Sequence, residues 1–96
     1  MNRPEVVVYT RQGCGLCAAA EARVAAEARG GRIHHVDVDT DPELVTRYGV
    51  RVPVVLVDGL EVAELELEPG TVRRAVRAAR RARLRRSTFR HRRRRT

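Results

Sequence analysis

The stretch Val6-Val7-Val8-Tyr9-Thr10-Arg11-Gln12-Gly13-Cys14-Gly15-Leu16-Cys17 places the only two cysteines of the chain directly after a β-branched apolar run. The run predicts a buried strand over Glu5 to Thr10, followed by a loop that leads into a helix. If the helix begins at the cysteines, positions i and i+3 share one face, at a Cα spacing suited to the roughly 4.4–6.8 Å of a disulfide. We therefore interpret Cys14 and Cys17 as a reversible dithiol.

The order of the two cysteines suggests different roles for them. The free N–H groups and the positive dipole end at a helix start stabilise a thiolate, which is the reactive form of cysteine, and Arg11 adds a positive charge nearby. Cys14, at the start of the helix, is predicted to be the attacking nucleophile. Cys17, one turn further in, is predicted to be the resolving thiol that attacks the mixed disulfide and releases the product.

Two other interpretations of the cysteines stay open. A C-x-x-C pair supplies half of a tetrahedral zinc site, for which the other borderline donors are His34, His35 and His91. His34 and His35 are neighbours in a predicted strand and point to opposite faces, so zinc would have to be held between two copies of the chain. The third interpretation is a pair of inert cysteines. A C-x-x-C near a β-α-β pattern favours redox chemistry, and we predict no metal.

The composition limits the chain to one small domain. Its 96 residues include one Phe, two Tyr and no Trp, so the core must be built from Val, Leu and Ala. No signal-peptide pattern precedes the first strand, and no apolar stretch reaches membrane-spanning length. The expectation is a cytoplasmic protein without a membrane span.

The rest of the sequence predicts the element order β-α-β-α-β-β-α. The first strand, the helix after it and the second strand form a right-handed β-α-β unit. Asp41-Pro42 marks a short helix start, Pro53 is the predicted first residue of a strand that contains a continuous apolar run, and Asp58-Gly59 marks a hairpin turn. The predicted elements are helix 15–29, strand 32–38, a short helix from 42 that stops at Gly49, a strand from Pro53 through the apolar run 54–57, strand 60–67 and a last helix from 71 that frays near Arg86.

With these elements in place, the chain resembles the glutaredoxin-like branch of the thioredoxin superfamily. The resemblance rests on the segment from Val8 to Cys17 and on Val52-Pro53 ahead of a hairpin. It implies an α/β, thioredoxin-like (glutaredoxin-like) fold with a mixed four-stranded sheet flanked by helices. It also implies a cis Val52-Pro53 bond that faces the dithiol and docks substrate backbone in extended form.

The resemblance also implies the function of a thiol-disulfide oxidoreductase in cell redox homeostasis. Such an enzyme reduces or exchanges disulfides of proteins or small molecules through Cys14 and Cys17, and it needs an electron donor that the sequence does not identify. Arg11 matches the basic residue ahead of the family motif, and it is predicted to bind substrate together with Val52 and Pro53. No bound cofactor is expected, and glutathione is the candidate co-substrate.

Two positions depart from the glutaredoxin pattern. Gly15-Leu16 stands between the cysteines where glutaredoxins have Pro and Tyr. The segment Glu61-Val62-Ala63-Glu64-Leu65-Glu66 stands where the family holds glutathione with a Gly-Gly-x-x-Asp feature. Acidic side chains there would repel an anionic tripeptide.

Charge divides the chain into two parts. Residues 1–72 hold 7 arginines and all 12 acidic residues, a net charge of −5, whereas residues 73–96 hold the other 13 arginines and no acid. We predict a domain of residues 1–83 and a disordered, Arg-rich tail of residues 84–96. The alternative function is a thioredoxin-fold binding module whose tail makes weak, non-specific contacts with nucleic acid or an anionic surface. The tail can equally be a solvated extension, or lie against the acidic part of the chain.

Overall fold

The computed structural model describes residues 3–94, with side chains described for residues 3–87. The strands and helices follow the predicted β-α-β-α-β-β-α order, and one short 3-10 turn, Val38–Thr40, precedes the second helix. The elements are β1 (Glu5–Thr10), α1 (Gly15–Glu27), β2 (Arg32–Asp37), α2 (Pro42–Tyr48), β3 (Val54–Val57), β4 (Leu60–Glu64) and α3 (Thr71–Arg94).

The four strands form one mixed sheet in the order β2-β1-β3-β4. Strand β1 runs parallel to β2 and antiparallel to β3, and β3 runs antiparallel to β4. The two central strands carry the apolar runs of the sequence, and all four residues of β3 are buried. The predicted mixed four-stranded sheet is therefore confirmed.

Alternating side chains of the central strands build a separate apolar cluster on each face of the sheet. On one face, Val6, Val8 and Val55 pack with residues of α1 and α3, among them Val24 and Val72. On the other face, the buried residues are Val38, Tyr48, Val54 and Leu56. Helices α1 and α3 thus cover one face, and α2 covers the other.

Three elements end earlier than the sequence predicted, and the first is α1, which stops at Glu27 rather than residue 29. Strand β2 stops at Asp37, whose side chain accepts a hydrogen bond from the N–H of Asp39 at 2.9 Å and so begins a turn. Strand β4 stops at Glu64 rather than Leu67, because Leu65 has a φ of 63° and leaves the extended conformation. The Leu65 N–H donates instead to the carbonyl oxygen of Pro53 at 2.8 Å.

Helix α3 ends later than predicted: it continues to Arg94 instead of fraying near Arg86. The segment after Leu84 contains neither Pro nor Gly, and arginine has a high helix propensity. The domain boundary after residue 83 and the disorder of residues 84–96 stay predictions. No helix in residues 3–94 combines the length and the apolar character that crossing a bilayer requires.

A buried carboxylate joins α1 to the start of α3. The side chain of Glu27 accepts hydrogen bonds from the N–H of Gly70 at 2.9 Å and of Arg73 at 3.2 Å, and Arg23 lies 3.5 Å away. Burial raises the pKa of Glu27, but the two backbone donors and the charges of Arg23 and Arg73 outweigh it and hold the pKa below its usual range. The carboxylate of Glu27 thus satisfies free N–H groups at the start of α3.

We expect a Glu27→Gln variant to unfold more easily than the unmodified protein, by about 1 to 3 kcal/mol, because a charged acceptor of two buried N–H groups is lost. The pKa of Glu27 is lower in the folded state, so its contribution is complete above the unfolded-state pKa and is lost as the pH falls through the folded-state pKa. Urea unfolding at pH 7 and at pH values below 4 measures both effects. The matched control is Glu21→Gln, which changes the same charge on α1. Equal unfolding curves for the two variants at pH 7 would show that the proposed cap is wrong.

Candidate dithiol active site

The two cysteines lie at the first turn of α1, as the sequence predicted. Cys14 is the N-cap residue in an extended conformation, and Gly13, with a φ of 77°, makes the turn that leads from β1 to it. Cys14 and Cys17 are joined as a disulfide, with their Cα atoms 5.4 Å apart. Cys14 is partly exposed, whereas Cys17 is only 5% exposed. The sulfur of Cys14 is therefore the more accessible of the two.

The fold brings the Val52-Pro53 pair next to the cysteines. The bond between Val52 and Pro53 is cis, and the Val52 carbonyl oxygen lies 4.0 Å from the Sγ atom of Cys14. Pro53 is fully buried and directly precedes β3. The structure thus assembles Cys14, Cys17, Val52 and Pro53 in one place, and their roles toward a substrate stay predictions.

Arg11 lies in the loop before Cys14, but its charge is compensated. Its Nε donates to Oδ2 of Asp39 at 3.0 Å, and its Nη2 donates to Oδ1 of Asp39 at 2.8 Å. A third nitrogen, Nη1, lies 3.4 Å from the carbonyl oxygen of Gly49. The hydrogen bonds from Arg11 hold the pKa of the Asp39 carboxyl below its usual range. Sequence reasoning missed this partner, because Asp39 is distant in sequence and its only signal was an alternating row of acidic residues.

An apolar groove begins at the residue between the cysteines. It has a volume of about 250 Å³, and its lining includes Leu16, Ala20, Leu65 and Leu67 together with the charged Arg23 and Glu66. Leu16 is 38% exposed and Leu65 is 43% exposed, so both side chains are accessible from solvent. Sequence reasoning missed this groove, because the turn at Leu65 that shapes it depends on a contact with Pro53.

Two histidines of the zinc interpretation, His34 and His35, lie in β2. His34 contacts the carboxylate of Glu5 across β1 and β2, and His91 falls outside the residues whose side chains are described. Within the described part of the chain, no group of three or more His, Cys, Asp or Glu side chains is arranged to hold a metal ion.

The sheet order, the cysteine pair at the start of α1 and the cis proline beside it define a thioredoxin-like fold of the glutaredoxin-like type. The chain belongs to the glutaredoxin-like domain family (DUF836), whose sequence profile matches residues 5–79.

The chain is also similar to proteins of known sequence and structure. An uncharacterized protein of Mycobacterium tuberculosis and one of Mycobacterium bovis are each 34% identical to this chain in an alignment 80 residues long. The alignment covers 76% of this chain and 82% of theirs. A structural genomics target protein from X. campestris, XcR50, is 32% identical. Its crystal structure has a TM-score of 0.65 and covers 76% of this chain and 96% of that chain. The solution structure of the same protein has a TM-score of 0.63 and covers 76% of this chain and 92% of that chain.

The pairing of Arg11 with Asp39 leads to a prediction about the reduced Cys14 thiol. Asp39→Asn should lower the thiol pKa because it leaves the charge of Arg11 uncompensated, and Arg11→Gln should raise it because it leaves Asp39 alone. The double variant should behave like the unmodified protein, and all differences should shrink in 0.5 M salt. The alkylation rate of Cys14 as a function of pH measures the thiol pKa. A higher thiol pKa in Asp39→Asn would contradict this account.

Proposed function

We propose that this protein is a thiol-disulfide oxidoreductase that reduces or exchanges disulfides through Cys14 and Cys17. The observation that carries the proposal is the geometry of Cys14. Its sulfur is accessible at the start of α1, bonded to the buried Cys17, and 4.0 Å from the carbonyl oxygen of Val52. Membership in a glutaredoxin-like family supports a redox role.

The proposed reaction has two exchange steps. In the reduced protein, the Cys14 thiolate attacks one sulfur of the substrate disulfide, forms a mixed disulfide and releases the other substrate sulfur as a thiolate. The deprotonated Cys17 then attacks the Cys14 sulfur, which forms the Cys14–Cys17 disulfide and releases the second substrate thiolate. Two electrons pass to the substrate, and a separate thiol donor must reduce the protein again. The free N–H groups at the start of α1 stabilise the attacking thiolate.

Val52 and Pro53 are proposed to hold the substrate backbone. Pro53 has no N–H to offer to a sheet ladder, and the carbonyl of Val52 lies beside the reacting sulfur. An extended substrate segment that pairs with Val52 would bring its disulfide against Cys14. Arg11 is not required for this contact, because its guanidinium group is occupied by Asp39.

We propose protein disulfides as the main substrates, in the cytoplasm. The groove next to Cys14 presents Leu16 and Leu65, which suit an apolar side chain of a protein substrate. Arg23 and Glu66 line the same groove with opposite charges, so the groove itself does not repel the anionic glutathione tripeptide. Glutathione remains the candidate co-substrate for the reductive half of the cycle, in which the oxidised protein returns to the dithiol.

Serine variants of the two cysteines test the proposed order of attack. Cys14→Ser should abolish the reduction of insulin disulfides, whereas Cys17→Ser should accumulate a covalent adduct with the substrate because the resolving step is blocked. Gel electrophoresis of samples prepared with and without dithiothreitol detects the adduct, which disappears on reduction. Ala18→Ser, at an exposed position of α1, is the matched control and should keep full activity. Turnover by Cys14→Ser equal to that of the control would exclude the mechanism.

A polar residue at Leu65 tests the groove as a substrate site. Leu65→Asn removes the apolar contact, and asparagine tolerates the left-handed backbone conformation. We expect the KM for insulin to rise about fivefold or more, with little change in the reduction of hydroxyethyl disulfide, which is too small to reach the groove. Leu60→Asn, on the 70% exposed residue at the start of β4, is the control. An equal effect on both substrates would argue against a docking role for the groove.

A further inference from the structure

Helix α3 carries a row of exposed arginines that the proposed redox reaction does not use. We name Arg74, Arg77, Arg81 and Arg85 the arginine face. Each of the four is exposed, and their spacing of three or four residues places them on one side of the helix. At a rise of 1.5 Å per residue, the row is about 16 Å long.

No carboxylate among residues 3–87 forms an ion pair with the arginine face. The sequence contains no acidic residue after Glu68. The ion pair that α3 does form in this part of the chain is that of Arg83 with Asp58 at 2.6 Å, on the side packed against the sheet. Arginines three and four positions apart on one helix face repel each other, so an external anion would relieve this repulsion.

The apolar side of α3 argues against a membrane as the partner. Val72 and Val76 are buried in the core, and Ala75 and Ala79 pack against it. A helix that lies on a lipid surface inserts its apolar side between the headgroups. In this fold that side is occupied as far as Ala79. Further along α3, among residues 3–87, Leu84 is 48% exposed, but a single leucine does not make an apolar side that could insert.

Among residues 3–87, no aromatic side chain belongs to the arginine face, which argues against recognition of unpaired bases. Single-stranded nucleic acid is held by stacking on aromatic rings. Tyr9 and Tyr48 stack on each other with ring centroids 4.2 Å apart, on the α2 side of the sheet. Phe89 lies outside the described side chains. What the face offers is a row of guanidinium groups on one side of a helix, and guanidinium groups bind phosphate oxygens in a bidentate manner.

We propose that the arginine face binds the phosphate backbone of duplex nucleic acid without sequence preference, independently of the dithiol. The family match ends at residue 79, so Arg81 and Arg85 lie beyond it. The sequence adds five arginines after Arg86, which extends the positive charge. Binding arises from release of the counterions that the phosphates condense, and it weakens steeply as salt rises.

Fluorescence anisotropy with the full chain and two labelled DNA duplexes of unrelated sequence tests the proposal, in sodium chloride from 50 to 200 mM. The two duplexes should bind equally well. In Arg77→Gln/Arg81→Gln, the slope of log Kobs against log salt should fall in magnitude by about 2, since each phosphate contact contributes about 0.9. The matched control is Arg32→Gln/Arg47→Gln, which removes the same charge from two exposed positions on β2 and α2 and should leave the slope unchanged.

Several results would overturn the proposal. No binding at 50 mM salt, or an equal loss of slope in both double variants, would show that the face is not a phosphate site. Binding to vesicles of anionic lipid without binding to duplex would assign the face to membranes, and tighter binding to a single strand would assign it to unpaired bases.

The Cys14→Ser variant should bind duplex normally, and Arg77→Gln/Arg81→Gln should still reduce insulin. Failure of the proposed redox function and failure of this proposal are therefore distinguishable.

Discussion

The burial of β1 at the centre of the sheet determines where the candidate active site forms. Val6 and Val8 are fully buried, and β1 pairs with β2 on one side and β3 on the other. Because β1 and β3 are antiparallel, the end of β1 lies opposite the beginning of β3, with Tyr9 aligned to Val54. The loop after β1 ends at Cys14, and Val52-Pro53 comes directly before β3. Strand pairing alone therefore brings the cysteine and the cis proline together, although 38 residues separate Cys14 from Val52.

Most of the acidic residues with resolved contacts serve the fold rather than a ligand. Asp58 accepts a hydrogen bond from the N–H of Glu5 and pairs with Arg83, which fastens α3 to the hairpin and to β1. The side chain of Glu27 accepts hydrogen bonds from N–H groups at the start of α3. Asp39 forms an ion pair with Arg11. The negative charge of the first 72 residues is thus largely engaged by neighbouring arginines and N–H groups. None of these carboxylates forms an ion pair with the arginine face.

Features that depend on local sequence could be predicted, whereas those that depend on distant contacts could not. The strand Glu5–Thr10, the start of α1 at Gly15 and the Asp41 cap of α2 agree with the prediction, because each follows from a short run of residues. The cis bond came only from the family resemblance. The pairing of Arg11 with Asp39 spans 28 residues, and nothing near Arg11 indicates it. The end of β4 was misplaced for the same reason, since the carbonyl that captures the Leu65 N–H belongs to Pro53.

The contact between Leu65 and Pro53 also joins the two parts of the proposed substrate site. A left-handed conformation costs a leucine on the order of 1 kcal/mol, and the hydrogen bond to the Pro53 carbonyl offsets part of that cost. Through Val52, the same segment faces the sulfur of Cys14, and through Leu65 it shapes the groove that begins at Leu16. A substrate that presents its backbone to Val52 would therefore find the groove at a fixed position relative to the reacting sulfur. In the proposed site, selection of a side chain and placement of the disulfide would both depend on the segment that the hydrogen bond between Leu65 and Pro53 holds in place.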